Sequence, residues 1–119
     1  MNFKRHLRAA SFTTVLLLSQ LATALAEPAL WLRYPAISAD AQSIAFSYRG
    51  DLWRVSAAGG AATHLTTSDG YDYLPVWSPD GNRIAFASNR YGNFDVFVMP
   101  ANGGAATRLT YHSAGDFPT

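Results

Sequence analysis

The 119-residue chain contains no cysteine. Disulfides, thiolate metal sites and a cysteine nucleophile are therefore excluded within it. It also lacks an apolar run of membrane-spanning length: its longest unbroken apolar core is about ten residues, against the roughly 20 that a spanning helix needs. Beyond position 8 there is no lysine, and the arginines are six and scattered: Arg33, Arg49, Arg54, Arg83, Arg90 and Arg108. No Lys/Arg stripe of the kind that phosphate backbones require is present, so nucleic acid is not expected as a partner. After Ala26 no stripe of apolar residues at helical spacing occurs either.

What is present begins with an export pattern. Lys4, Arg5 and Arg8 form a positive start, and Ala9 to Ala26 is dominated by apolar and small residues around Val15-Leu16-Leu17-Leu18. The stretch closes on Ala24-Leu25-Ala26, followed by Glu27-Pro28. Signal peptidase accepts small residues at the −1 and −3 positions, here Ala26 and Ala24, and a proline just beyond stops the helix. Residues 1–26 thus read as a cleavable signal helix cut after Ala26. The competing reading, a membrane anchor, is disfavoured by the short core. A periplasmic or secreted location follows, with membrane contact only through the transient signal peptide. Loss of three cations takes the formal charge from +1 to −2.

The remainder repeats. Tyr34-Pro35-Ala36-Ile37-Ser38-Ala39-Asp40 returns forty residues later as Leu74-Pro75-Val76-Trp77-Ser78-Pro79-Asp80, and Ser43-Ile44-Ala45-Phe46-Ser47 as Arg83-Ile84-Ala85-Phe86-Ala87. After a four-residue insertion, Asp51-Leu52-Trp53-Arg54-Val55 returns as Asp95-Val96-Phe97-Val98-Met99. Gly59-Gly60-Ala61-Ala62-Thr63-His64-Leu65-Thr66 returns as Gly103-Gly104-Ala105-Ala106-Thr107-Arg108-Leu109-Thr110. A period in the low forties made of four short strand-like runs is the mark of β-propeller blades.

Local chemistry agrees. Ile44, Phe46 and Tyr48 alternate with small or polar neighbours, as do Ile84 and Phe86. Asp80-Gly81 predicts a two-residue turn, with glycine supplying positive φ and Pro79 setting its start. Ala39-Asp40-Ala41-Gln42, without that proline and glycine, predicts a looser turn. The expected fold is all-β: two four-stranded antiparallel blades of an incomplete propeller after the signal helix. The boundaries are a lead-in at 27–33, blade one at 34–66, a connector at 67–73, blade two at 74–110, and at 111–119 the start of a connector to a third blade. Two blades leave an apolar face and strand edges uncovered, so residues 27–119 alone are expected to be poorly stable or to aggregate.

Trp77-Ser78-Pro79-Asp80-Gly81-Asn82-Arg83-Ile84-Ala85-Phe86 resembles the Ser-Pro-Asp-Gly repeat of TolB-like propellers, shared by propellers of prolyl oligopeptidases, amidohydrolases and tricorn-type serine peptidases. A finer resemblance is to the start of exported tricorn-like peptidases. It lies in 32–38, in 44–53, in Ala87-Ser88-Asn89-Arg90-Tyr91-Gly92-Asn93-Phe94-Asp95-Val96-Phe97-Val98-Met99-Pro100, and in 108–114. That resemblance implies a propeller that scaffolds and admits unfolded peptide substrates, with catalysis in a far C-terminal serine peptidase region. The implied partners are further blades and the peptidase domain of the same polypeptide, peptide substrates of the full-length protein, and further copies of it in a homo-oligomer.

No catalytic, cofactor or metal residues are expected in the chain itself. His64 occupies the position that the second repeat fills with Arg108, as a solvent-exposed strand position does. His112 beside Ser113 reads as a polar inter-blade loop, because triad members converge from separate elements and no Gly-x-Ser-x-Gly elbow surrounds it. Asp40, Asp80, Asp51 and Asp95 recur in both repeats, which favours turn and strand-start roles accepting backbone N–H groups. Trp31, Trp53, Trp77, Phe86 and Phe97 read as core. The insertion is different, because packing periodicity does not account for it. Arg90, Tyr91, Asn93 and Phe94 are therefore the candidate ligand-contact loop.

Overall fold

A computed structural model describes residues 32–119. The expected signal helix, its expected cleavage residues Ala24 and Ala26, most of the lead-in and Trp31 lie outside the described residues. Eight strands follow in order: β1 (Leu32–Ile37), β2 (Ser43–Tyr48), β3 (Asp51–Ser56), β4 (Thr63–His64), β5 (Asp72–Trp77), β6 (Arg83–Ser88), β7 (Asp95–Pro100) and β8 (Thr107–Arg108). They form two four-stranded sheets in the orders β1-β2-β3-β4 and β5-β6-β7-β8, with every pairing antiparallel. The described residues are all-β, with the two blades that the repeat predicts.

The first strand of each sheet starts two residues upstream of the repeat boundary, at Leu32 and Asp72 rather than 34 and 74. Proline is the reason. Pairing jumps from Arg33↔Ser47 to Ala36↔Ala45, and from Tyr73↔Ala87 to Val76↔Ala85, leaving one extra residue on β1 and on β5. Pro35 and Pro75 sit in these bulges, where their missing N–H costs no ladder bond. Tyr34 and Leu74 before them turn to φ 52° and φ 54°.

The fourth strands are only two residues long, because threonine takes over the ladder. Leu65 N–H donates to the Leu52 carbonyl at 2.8 Å, and Leu52 N–H donates to the Thr66 hydroxyl at 2.9 Å. Leu109, Val96 and Thr110 repeat the arrangement at 2.7 and 2.9 Å. The recurrent Leu-Thr pair is thus a side-chain substitute for a backbone partner.

The turn expected to be looser is not. Ser38 N–H donates to Ser43 C=O and Ala41 N–H to Ser38 C=O, both at 2.9 Å, and Ser78, Arg83 and Gly81 repeat these bonds at 2.9 Å. Nor is the second turn a two-residue one, since 78–82 all lie between β5 and β6. Aspartate explains the likeness: Asp40 accepts the Ser38 hydroxyl at 2.6 Å and Gln42 N–H at 3.0 Å, as Asp80 does from Ser78 and Asn82. Ala41 takes the left-handed backbone, φ 58°, that Gly81 takes at 73°.

The sheets pack face to face. Ala45, Leu52 and Leu65 of the first meet Ile84, Phe86, Phe97, Met99 and Ala101 of the second in one buried cluster. Each large apolar side chain buried there contributes about 1.5–3 kcal/mol. Polar links cross the same seam: the Ser47 hydroxyl donates to Asp72 C=O at 2.8 Å, and the Trp77 indole N–H donates to Ala36 C=O at 2.9 Å.

Candidate functional site

The insertion between β6 and β7 was the part of the sequence without a packing explanation. In the fold, Ser88 ends β6 and Asp95 begins β7, so the inserted residues project as a loop at the end where β5 begins. Arg90 turns inward. Its Nη2 donates to both Asp72 oxygens at 3.2 Å and its Nε to the Ser88 hydroxyl at 2.9 Å. The guanidinium lies 4.5 Å from the Phe97 ring centroid. Asp72 is fully buried, and the paired Arg90 cation, joined by the Ser68 hydroxyl donating at 3.2 Å, offsets the cost of taking its carboxylate out of water.

The other loop residues divide. Asn93 Nδ2 donates to the His112 and Ala114 carbonyls at 2.7 and 3.2 Å, pinning the 111–119 segment. Phe94 packs edge-on against Tyr73 at 5.0 Å and beside Phe117 at 6.0 Å. Tyr91 is 67 % exposed. Arg90, Asn93 and Phe94 therefore hold polypeptide, and Tyr91 is the most exposed of the four, its ring resting 6.0 Å from Phe97 and 5.4 Å from the Arg108 guanidinium.

The histidines sit apart from this loop's polar contacts, except where Asn93 bonds the His112 backbone. His64 Nε2 meets Asp51 Oδ2 at 2.8 Å, and its ring stacks on Trp53 at 4.1 Å. Arg108 repeats the pairing with Asp95 at 2.6 Å. Asp51 and Asp95 thus take a cationic or imidazole partner from the fourth strand instead of capping backbone N–H groups. Asp40 and Asp80 do hold the turn role, and the Ser38 and Ser78 hydroxyls, then the Gln42 and Asn82 N–H groups, keep their carboxyls below the ordinary value of 3.8. Among the described residues, no group of three His, Cys, Asp or Glu side chains converges as a metal site.

Two features escaped the sequence reading. Arg54 stands where the second repeat has Val98, and it spans the two sheets, donating to Ala101 C=O at 3.0 Å and Asn102 Oδ1 at 2.6 Å. The break in the repeat at that position was the available signal. The other is an aromatic group at the start of the first strands: Tyr73 lies 5.3 Å from Tyr34 and 5.6 Å from Tyr71. Burial, then the neighbouring Tyr34 and Tyr71 phenols, pushes the Tyr73 phenol above its ordinary value. Further along the same strands, Ala36, Ile37, Pro75, Val76 and Trp77 line a shallow groove of about 540 Å³.

The sequence profile described as tricorn protease N-terminal beta propeller domain matches residues 29–119. The chain belongs to this family. Among its relatives, tricorn protease homolog 1 of Streptomyces coelicolor is 36 % identical over 81 residues, which are 68 % of this chain and 7 % of that protein. A TolB homolog of Chlorobium luteolum is 38 % identical over 59 residues, 50 % of this chain and 14 % of that protein. The uncharacterized peptidase YuxL of Bacillus subtilis is 34 % identical over 54 % of this chain and 10 % of its own length. The solved structure of a putative TolB from Agrobacterium tumefaciens superposes with a TM-score of 0.69 at 27 % identity, covering 74 % of this chain and 33 % of that one. The tricorn N-terminal propeller segment described here therefore spans between 7 % and 33 % of the length of these relatives.

Proposed function

We propose that this chain is the N-terminal propeller segment of an exported tricorn-like serine peptidase, which scaffolds the enzyme and admits peptide substrates without breaking bonds itself. The observation that carries the reading is the family match across 29–119, joined by the tricorn homologue that aligns over two thirds of the chain. The geometry is compatible with it: the innermost strands β1 and β5 lie side by side and share an apolar groove suited to extended polypeptide. His64 is held between Asp51 and Trp53 in a pairing that the second blade builds with arginine, which suits a structural post rather than a general base.

The test uses the full-length polypeptide. Its sequence beyond Thr119 should contain a serine peptidase region, and the purified protein should hydrolyse unfolded polypeptides. His64→Arg should leave that hydrolysis intact. A full-length protein with no peptidase region and no hydrolysis would overturn the proposal.

A second reading is favoured by the likeness to the TolB structure and the TolB homolog: a non-enzymatic periplasmic propeller that works as a protein-interaction platform. Recovery of a discrete envelope partner by a full-length protein lacking hydrolysis would select it. The amidohydrolase alternative, a propeller front end to a metal-dependent hydrolase, would show metal-binding histidines downstream.

A further inference from the structure

The insertion and the aspartate that opens its blade occur together. Leu32 holds in the first blade the place that Asp72 holds in the second, since each is the first residue of its strand and pairs with the last residue of the next, Tyr48 or Ser88. The first blade has neither carboxylate nor insertion: its β2 and β3 are joined by Arg49-Gly50 alone. The second blade has both, and they meet as Arg90 on Asp72.

Asp116 repeats Asp72. Its N–H donates to Phe94 C=O at 2.8 Å, as Asp72 N–H donates to Gly50 C=O at 2.7 Å. An aromatic follows each, Tyr73 and Phe117, and Phe117 packs on Phe94 and Tyr73. The Oδ2 of Asp116 is buried and takes no hydrogen bond among the described residues. A carboxylate oxygen removed from water in this way is costly until a donor reaches it.

We infer that Asp116 is the receptor for a guanidinium delivered by the next blade of the same polypeptide, on an insertion between that blade's second and third strands. Arg90 follows Asp72 by eighteen residues, which sets the expected position of the arginine relative to Asp116. The surface beside Asp116 continues the existing interface: Leu109 is 54 % exposed, whereas its counterpart Leu65, covered by the second blade, is 7 % exposed. The occupant is the following blade rather than a second copy of this chain. Asp116 N–H already bonds Phe94 C=O as Asp72 N–H bonds Gly50 C=O, whereas a second copy would dock by its first blade, which opens on Leu32 and has no insertion between β2 and β3 to carry an arginine. The inference rests on the propeller part of the reading above and is independent of the peptidase part.

The experiment takes the full-length polypeptide. Its sequence should place an arginine about eighteen residues after Asp116, in the loop equivalent to 89–94. In urea unfolding of the propeller, Asp116→Asn and replacement of that arginine by glutamine should each lower the midpoint, and the double variant should be no less stable than the worse single one. Asp72→Asn with Arg90→Gln serves as the internal reference for a coupled pair. A following blade without the arginine, or strictly additive losses in the Asp116 cycle beside coupled losses in the Asp72 cycle, would overturn the inference. Retained coupling in a protein without hydrolytic activity would sink the peptidase proposal and leave this one standing.

Discussion

Arg54 and Asn102, 48 residues apart in sequence, meet side chain to side chain at 2.6 Å across the seam between the two sheets. The same guanidinium bonds the Ala101 carbonyl at 3.0 Å and the Ser43 hydroxyl at 2.9 and 3.2 Å, and it lies 5.4 Å from the Trp77 ring centroid. One residue of the first blade therefore ties the outer part of the second to it. Arg54→Met keeps much of the aliphatic stem and removes the donors. It should lower stability by about 1 kcal/mol, the usual net value of a partly exposed hydrogen-bonded group. Denaturant unfolding of the full-length propeller checks this, and an unchanged midpoint would show that the seam is held by its apolar cluster alone.

The Asp72–Arg90 pair should matter more, because it is buried. Arg90→Met strands a carboxylate that has no exposure at all, and removing one member of such a pair costs about 3–5 kcal/mol. Tyr91→Ala, one residue away but largely exposed, should change stability by less than about 0.5 kcal/mol. Comparable losses for the two variants would contradict the division of the insertion into a buried anchor and a largely exposed tyrosine.

Ala41 is the position at which a substitution should help. It holds φ 58° in a turn whose counterpart in the second blade is Gly81. A left-handed conformation is strained for residues with a Cβ, so Ala41→Gly should stabilise the protein by about 0.5–1 kcal/mol, the relief of strain exceeding the entropy gained by the unfolded chain. Gly81→Ala should cost a similar amount. Thermal melts of the two variants should move in opposite directions, and a loss from Ala41→Gly would count against the strained turn.

Acid should loosen both of these turns. Asp40 and Asp80 are held below the ordinary value of 3.8 in the folded state, first by the Ser38 and Ser78 hydroxyls and next by the Gln42 and Asn82 N–H groups. A lowered folded value means stabilisation that is present above the unfolded value, near pH 4, and lost as pH falls through the lower folded values. Ser38→Ala with Ser78→Ala should therefore flatten the acid limb of the stability profile below about pH 4. An unaltered acid limb in the double variant would assign acid sensitivity to other carboxylates.

Much of this architecture was legible in the residues. Alternation at Ile44, Phe46, Ile84 and Phe86 marks strands because side chains in a strand point to opposite faces, and a second copy of the pattern names the blade. The first strands extend two residues upstream of the repeated segment, since Pro35 and Pro75 look like boundaries in sequence while a bulge carries the strand past them. The turn at Ala41 was judged by its missing glycine and proline. What shapes that turn is the Ser38–Asp40 side-chain bond, which pays no attention to either.

The insertion shows the limit of periodicity as a guide. Sequence comparison between the two repeats set 90–94 apart because the first blade has no counterpart, and extra residues on a propeller rim invite a ligand-binding reading. Sequence by itself determined the all-β repeat, the two-blade count and the family, because these depend on local alternation, turn chemistry and spacing along the chain. Only the tertiary structure decided that Arg90 belongs to Asp72, Arg54 to Asn102 and His64 to Asp51. Such pairings depend on where separate strands bring charged groups out of water together, and distance along the chain carries no record of that.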